Sequence, residues 1–410
     1  MNMVRRPTPI YRFLALYTSA NIGAHMAFVP LLALLLPLKA ALIAPEDKLW
    51  LFSITLLAGS VMASLSNILA GALSDWIFEK SQNRSGQIVV SLLLVLLSYM
   101  VFRRADDPVS LIVSILFFQL SFNLLFSPLG ALLADRVPDG LKGRAAALLN
   151  LGMPIATLSI ALLSIPELAD EGVRLLLIAI TITVAILPLV WFIRKPAEAI
   201  IAKTAETLAA PDPAILMDFK WAWSARLLVQ FSGAVMLGYL LYFLQDVAQY
   251  TSLFPGERVD QGMGKLTLAA TPVTIVFGIF AGTISDRSGL RRPFLMIAPL
   301  AIAAAILTMS LYPLWPVIFI CYLVFVCGLT IFLTTDAALV AQLLSGDRAR
   351  ARKLGIMNLT NTIPAIIAPA TALLLSGAVM ETDALVRLMQ IAATLAILAA
   401  FAASRIRTIS

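Results

Sequence analysis

Seven polar side chains within long apolar runs have the chemistry to contact a solute or carry a proton. They are Asn21, His25, Gln119, Asn123, Tyr239, Tyr242 and Asp336. The first six form three pairs with spacings of three or four residues, which place both members of each pair on one helix face. Imidazole and carboxylate groups can exchange a proton near neutral pH, whereas amides and phenols chiefly hydrogen-bond. Polar groups at membrane depth are costly and therefore often functional.

Each candidate also has a purely structural interpretation. His25 could be a neutral histidine hydrogen-bonded between helices, and Gln119 with Asn123 could form interhelical hydrogen bonds without touching solute. The two tyrosines could be packing residues. Asp336 lies ~31 Å along its run from Trp315, at ~1.5 Å per residue. That depth favours a gate or a solvated helix end, with coupling to a proton as the alternative.

The composition places this chain in a membrane. Of its 410 residues, 60% are hydrophobic and 13% are charged, whereas soluble domains carry roughly 25% charged residues. The net charge of +7 sits mostly in short loops, which indicates membrane topology and gives no reason to expect nucleic acid. A single histidine excludes most metal sites, and no catalytic cluster is visible, so we expect no enzyme activity, metal or cofactor.

Twelve apolar runs are long enough to cross a bilayer as helices, since a span needs about 20 residues. Helices are expected because lipid offers no partner to backbone groups. The predicted fold is an all-α membrane protein of twelve transmembrane helices. The runs cover 13–36, 49–73, 87–102, 109–134, 144–166, 172–193, 221–245, 264–284, 293–313, 315–341, 354–380 and 384–403.

Lys and Arg concentrate in one alternate set of loops, which predicts that both termini are cytoplasmic. We therefore expect a multi-pass integral protein of the cytoplasmic (inner) membrane. The predicted domains are residues 1–193, a cytoplasmic linker at 194–220 with a short interfacial helix near 197–208, and residues 221–410. We expect a monomer.

The two halves repeat each other at a nearly constant offset. Gly71-Ala-Leu-Ser-Asp75 recurs as Gly282-Thr-Ile-Ser-Asp286, 211 residues later. Arg144 and Asn150 recur as Arg352 and Asn358, 208 residues later. Duplicated halves are the usual basis of a transporter that rocks around a central site.

With these motifs the chain resembles the major facilitator superfamily. The segment Gly282-Thr-Ile-Ser-Asp286-Arg287-Ser-Gly289-Leu-Arg291-Arg292 is similar to the family pattern G-x-x-x-D-R-x-G-R-R, although the first copy has Trp76 in place of the Arg after Asp75. The resemblance covers the whole chain and implies two six-helix bundles. A weaker similarity to sugar:cation symporters rests on Arg84-Ser-Gly86 and on the run from Arg352 to Pro364.

The resemblance also implies roles for particular residues. Helices 1, 4, 7 and 10 line the family's cavity, which makes the three polar pairs candidate solute contacts. Carboxylates at the ends of the second and eighth helices can accept from amides at a neighbouring helix N-terminus and hold one side shut. The expected gating residues are Gly71, Asp75, Arg144, Gly282, Asp286, Arg287 and Arg352. The expected coupling residues are His25 and Asp336.

The expected function is secondary active transport of a small polar solute, such as a sugar or another metabolite, by alternating access. The second run contains no Asp or Glu, whereas the sodium-coupled sugar symporters carry acids there, so we expect H⁺ as the coupling ion. The alternatives are a drug or lipid exporter of the same fold and a membrane sensor that transports nothing.

Overall fold

The computed structural model of the chain describes residues 9–194, 213–288, 291–343 and 350–407. Within these ranges, twelve helices are long and apolar enough to span a membrane. They are α1 (Ile10–Ile43), α2 (Lys48–Ser81), α3 (Ser85–Arg104), α4 (Pro108–Arg136), α5 (Gly140–Leu163), α6 (Glu171–Ile193), α7 (Ile215–Val247), α8 (Val259–Ile284), α9 (Arg292–Leu311), α10 (Trp315–Leu343), α11 (Gly355–Ser376) and α12 (Glu381–Ser404). The predicted number of spans and the all-α class are confirmed.

Several helices are longer than their apolar runs. The second run was expected to end at residue 73, yet α2 continues to Ser81. The helix therefore carries Asp75 in its interior, and the expectation that Asp75 lies at the helix end is wrong. The physical reason is that helical backbone hydrogen bonds are internal, so a helix can continue beyond the lipid into polar sequence. Likewise α7 begins inside the predicted linker, whose residues 195–212 lie outside the described part of the chain.

Local sequence explains where some helices begin. Asp107 precedes α4 and accepts hydrogen bonds from the amides of Val109 (2.9 Å) and Ser110 (3.2 Å), while the Ser110 hydroxyl accepts from the Asp107 amide. This is a capping box. The side-chain hydrogen bond from Ser110 holds the pKa of Asp107 below its usual value. Asp170 caps α6 by accepting a single hydrogen bond from the amide of Val173 (2.9 Å).

Helix α5 is interrupted. Its helical segments are Asp139–Leu149 and Gly152–Leu163, with a turn at Asn150 and Leu151 between them. Pro154 has no amide hydrogen to donate to the carbonyl of Asn150, so the regular hydrogen-bond ladder fails at this point. Helix α1 contains a different irregularity, a π-helical turn at Leu31–Leu35 that follows Pro30, where prolines and π-turns commonly disturb a helix.

The chain divides into two compact units, residues 1–46 with 58–203 and residues 47–57 with 204–410. In the first unit, α1 packs against α5 and α6, and α3 packs against α4 and α6. In the second unit, α7 packs against α11 and α12, and α9 packs against α10 and α12. The same helix pairs therefore meet in both units, six helices apart, which confirms that the sequence repeat is a repeat of structure.

Small residues let these helices approach closely. In the first unit, a Cβ added at Gly23 of α1 would lie 2.8 Å from the Cβ of Ala185 of α6. In the second unit, most of the buried residues of α12 are alanines, and the Ser232 hydroxyl of α7 donates to the Ala392 carbonyl (2.8 Å). Close backbone approach and interhelical hydrogen bonds are what hold membrane helices together, because lipid supplies no hydrophobic drive between them.

Candidate solute and coupling sites

In the first unit, the polar pair of α1 lies directly against the interruption of α5. A Cβ built at Gly152 would be 2.7 Å from Asn21 Oδ1 and 2.6 Å from His25 Nδ1. Only a residue without a side chain leaves room for this contact. The structure therefore brings Asn21 and His25 to the place where α5 is broken, a position that the sequence did not indicate.

The hydrogen bonds of the pair leave it with free acceptors. His25 Nδ1 lies 2.9 Å from the Asn21 carbonyl of its own helix. Because a carbonyl only accepts, Nδ1 carries the proton in this contact, and Nε2 keeps a lone pair. Asn21 is buried, and its Oδ1 has no hydrogen-bond partner. The Phe126 ring meets the imidazole edge-on at 5.6 Å. Such a site can accept hydrogen bonds from hydroxyl or amine groups.

The pair on α4 is more fully engaged. Asn123 accepts from Asn67 Nδ2 of α2 (3.2 Å), and its own Nδ2 donates to the Gln119 carbonyl (2.8 Å). The Ser66 hydroxyl of α2 also donates to the Gln119 carbonyl (3.4 Å). Gln119 and Asn123 are both buried. Both polar atoms of the Asn123 side chain are thus already engaged in hydrogen bonds within the unit.

The tyrosine pair of α7 is sealed inside the second unit. Tyr239 and Tyr242 are both fully buried, and the Phe52 ring meets both of them edge-on at 5.3 and 5.4 Å. The Tyr239 hydroxyl lies 3.0 Å from the Ser53 hydroxyl, and the Tyr242 hydroxyl donates to the Lys48 carbonyl (3.5 Å). These contacts come from the first turns of α2, which belong to this unit.

An ion-pair cluster on the predicted outer side was missed by the sequence analysis. Lys48 Nζ bonds Asp246 Oδ1 (2.6 Å), and Glu381 accepts from the Leu49 amide (3.0 Å). The Lys48 ammonium also lies 5.8 Å from the centre of the Tyr242 ring. The start of α2 is thereby held to α7 and α12. These residues lie far apart in sequence, in loops or at helix ends, where charges are common, so the pattern offered no signal.

The only acid that the sequence placed well inside a span has a cationic partner. Asp336 of α10 is 1% exposed, and its Oδ2 accepts from Arg226 Nη1 of α7 (2.9 Å). The Arg226 side chain is 20% exposed. The guanidinium of Arg226 therefore binds a buried carboxylate of a neighbouring helix. No sequence spacing links the two residues, since they are 110 positions apart.

The first copy of the gating motif forms a network around Arg84. This buried guanidinium bonds Asp135 Oδ2 (2.7 Å), the Ser74 hydroxyl (2.5 Å) and Asp75 Oδ1 (3.1 Å), and it stacks on Phe78 at 4.6 Å. The Asp75 side chain is 71% exposed. Within its unit, Asp75 therefore pairs with a guanidinium and not with helix amides. The sequence places Arg84 in the Arg84-Ser-Gly86 motif, but no spacing rule predicts that it binds Asp135 and Asp75.

The other predicted gating residues are less informative. Arg144 is exposed on α5. A Cβ added at Gly71 would be 3.9 Å from the Ser127 hydroxyl of α4, and one added at Gly282 would be 3.6 Å from Thr334 of α10, so each glycine faces a neighbouring helix. The side chains of Asp286, Arg287 and Arg352 fall outside the described part of the structure. Among the residues described, no three His, Cys, Asp or Glu lie close enough together to hold a metal ion.

Comparison with known proteins agrees with this architecture. The Major Facilitator Superfamily sequence model matches residues 13–369. Two crystal structures of a bacterial homolog of the human lysosomal transporter Spinster, inward-facing and either occupied or unoccupied, superpose with a TM-score of 0.69. Each covers 98% of both chains, at 15% and 14% identity, which shows a shared fold. No curated protein matches the sequence. Twelve apolar helices, a twofold repeat and a match over most of its length show that this multi-pass membrane protein belongs to the Major Facilitator Superfamily.

Proposed function

We propose that this transporter moves a small polar solute by alternating access and couples the movement to protons. The observation that carries the coupling is the Arg226–Asp336 ion pair, which joins α7 to α10 inside the second unit. A carboxylate that is 1% exposed is strongly destabilised as an anion unless its cation stays in place. Any movement that separates the pair therefore favours protonation of Asp336, which links conformation to proton uptake.

The first unit supplies one set of candidate solute contacts in this proposal. The free acceptors at Asn21 and His25, beside the broken helix α5, suit hydroxyl-bearing or amine-bearing solutes. Discontinuous helices mark binding sites in many transporters, because the break exposes backbone groups that a solute can satisfy. The Arg84 network would serve as part of the predicted cytoplasmic gate, since Asp75 is exposed and free to exchange partners.

Transport assays in reconstituted liposomes test the proposal. The purified protein would be reconstituted with a pH-sensitive dye inside the vesicles and offered a panel of sugars, amino acids and organic acids. We expect at least one solute to acidify the lumen as it enters, and we expect Asp336→Asn to abolish the acidification. Solute uptake that is insensitive to an imposed proton gradient would contradict the coupling.

A second candidate function is export of an amphiphile, and a groove in the first unit favours it. The groove has a volume of about 530 Å³ and lies between α2, α3 and α4. Its lining is mostly apolar and includes Leu73, Val90 and Leu124, with Gln87 among them. A volume in the range of ligand sites beside lipid suits an acyl chain. Competition by long-chain amphiphiles, but not by polar solutes, in the same assay would favour this alternative.

A further inference from the structure

The Arg226–Asp336 ion pair leaves hydrogen-bonding capacity unused at both ends. One bond joins Nη1 to Oδ2 at 2.9 Å. Arg226 Nε and Asp336 Oδ1 are both buried without a hydrogen-bond partner. A guanidinium and a carboxylate in the optimal bidentate geometry form two parallel hydrogen bonds. Each group therefore forms fewer hydrogen bonds in this pair than it could form. Another anion could accept hydrogen bonds from more of the Arg226 donors.

Amide side chains extend from Arg226 across two helices of the second unit. Gln230 lies one turn further along α7 and donates to Asn361 Oδ1 of α11 (2.5 Å). Asn361 in turn donates to Asn358 Oδ1 (3.1 Å). Asn358 and Asn361 are exposed in this unit, whereas Asp336 is 1% exposed. A solute entering along these amides would reach the partly exposed guanidinium of Arg226, and the carboxylate would lie behind it.

Two cations of the described residues form hydrogen bonds with α10 at and near Asp336. Arg226 comes from α7, and Arg291 comes from the start of α9, where it donates to the Ala338 carbonyl (2.7 Å) and to Gln342 (2.5 Å). If Asp336 takes up a proton, Arg226 loses its described counter-charge, and a half-buried cation without an anion is unfavourable.

We propose that Arg226 binds a carboxylate or phosphate group of the transported solute and that Asp336 takes up a proton when this anion replaces it. The inference rests on the proposed function and adds the chemical class of the solute. In the empty site, one cation and one carboxylate sum to zero charge. In the loaded site, the cation, a neutral carboxylic acid and a monoanionic group also sum to zero. The Gln230 and Asn361 amides can donate to the remaining oxygens of the anion.

Release follows by the reverse exchange. When Asp336 loses its proton to the opposite side, its carboxylate returns to Arg226 and displaces the anion. One proton then moves with each singly charged group, and neither state leaves a buried charge unpaired. Anion binding and proton binding are reciprocally linked, so each strengthens the other by the same factor.

Binding of simple anions to the purified full-length protein tests the exchange. Acetate is a suitable probe because it is a monoanion at neutral and mildly acidic pH, and sucrose serves as the neutral control. Calorimetry in two buffers of different ionisation enthalpy counts the protons taken up. We expect binding to strengthen by up to about tenfold per pH unit as pH falls, with one proton taken up per anion.

Variants locate the effect. Arg226→Gln should abolish anion binding, and Asp336→Asn should bind anions without pH dependence and without proton uptake. Arg387→Gln removes an exposed arginine of α12 and should behave as the wild type. If Arg226→Gln fails to fold because Asp336 is left unpaired, the double variant R226Q/D336N removes both charges and should fold without binding anions.

The outcomes separate this inference from the function on which it rests. Anion binding that persists in Arg226→Gln, or that involves no proton, overturns the exchange. Proton-driven uptake of neutral solutes only, with no anion binding, removes the inference and leaves the proposed coupling. Anion binding with proton uptake, but without proton-driven transport in liposomes, supports the exchange and removes the coupling.

Discussion

Gly152 is the residue on which the contact between α1 and α5 depends. Its lack of a side chain lets the broken helix lie within van der Waals distance of Asn21 and His25. The His25 ring cannot swing aside freely, because its Nδ1 is bonded to the Asn21 carbonyl at 2.9 Å. One methyl group at this position must therefore displace a helix or break a hydrogen bond.

We expect Gly152→Ala to lower transport strongly and to reduce stability by about 1–3 kcal/mol, the usual cost of overpacking. Solute uptake and thermal unfolding of the purified protein measure the two effects. Gly143→Ala is the matched control on the same helix, because a Cβ at Gly143 meets nothing within 4 Å. If the two variants showed equal solute uptake and equal thermal stability, the contact at Gly152 would not contribute to function.

The site residues differ in how far sequence could predict them. Spacing alone places Asn21 and His25 on one helix face, since the helical period is a local property. Their partner Gly152 could not be predicted, because the contact depends on how α5 breaks and on which way it packs. The same holds for the bond between Arg226 and Asp336, which joins residues 110 positions apart. Long-range contacts arise from packing, so they cannot be predicted from the spacing of residues in a single sequence.

At the scale of helices, Arg84 ties the end of α2 to α4. Its side chain is 5% exposed and bonds Asp135, which is 16% exposed, as well as Asp75, which is 71% exposed. The two carboxylates therefore contribute differently. The bond to Asp135 is protected from solvent and stabilises the helix pair, whereas the bond to Asp75 is screened by water and contributes little to stability.

Two substitutions should separate these roles. We expect Arg84→Gln to destabilise the protein by about 3 kcal/mol, because it leaves a largely buried carboxylate unpaired. Asp75→Asn should change stability by less than about 1 kcal/mol, since its partner bond is exposed, yet it should reduce transport if Asp75 belongs to a gate. Thermal unfolding and solute uptake would be measured on both variants. A large loss of stability in Asp75→Asn, with normal transport, would contradict this division.

Helix existence could be predicted from sequence much better than helix ends. A span requires a minimum length of apolar residues, and all twelve were found for that reason. The ends are set by capping residues, such as Asp107, and by polar turns that extend a helix past the lipid, as in α2 up to Ser81. The hydropathy of the sequence predicts neither the capping residues nor the extension of a helix beyond its apolar run.

For the whole molecule, the distribution of Lys and Arg predicts which face of the membrane each loop occupies. Single cysteines test it, after the two native cysteines, Cys321 and Cys327 of α10, are replaced by alanine. In intact cells we expect a membrane-impermeant thiol reagent to label Asp106→Cys, between α3 and α4, and to leave Glu79→Cys, near the end of α2, unlabelled. Both sites are exposed. The opposite labelling pattern would invert the predicted topology.

The ion pair between α7 and α10 also constrains how the chain is made. An acid inside an inserting helix is costly on insertion scales, and the long apolar stretch of α10 that precedes Asp336 offsets this cost. During synthesis, Arg226 enters the bilayer 110 residues before its carboxylate partner exists. A nascent chain that stops after α9 thus carries an unsatisfied cation among its helices, which is a chemical mark by which a membrane protease could recognise incomplete assembly.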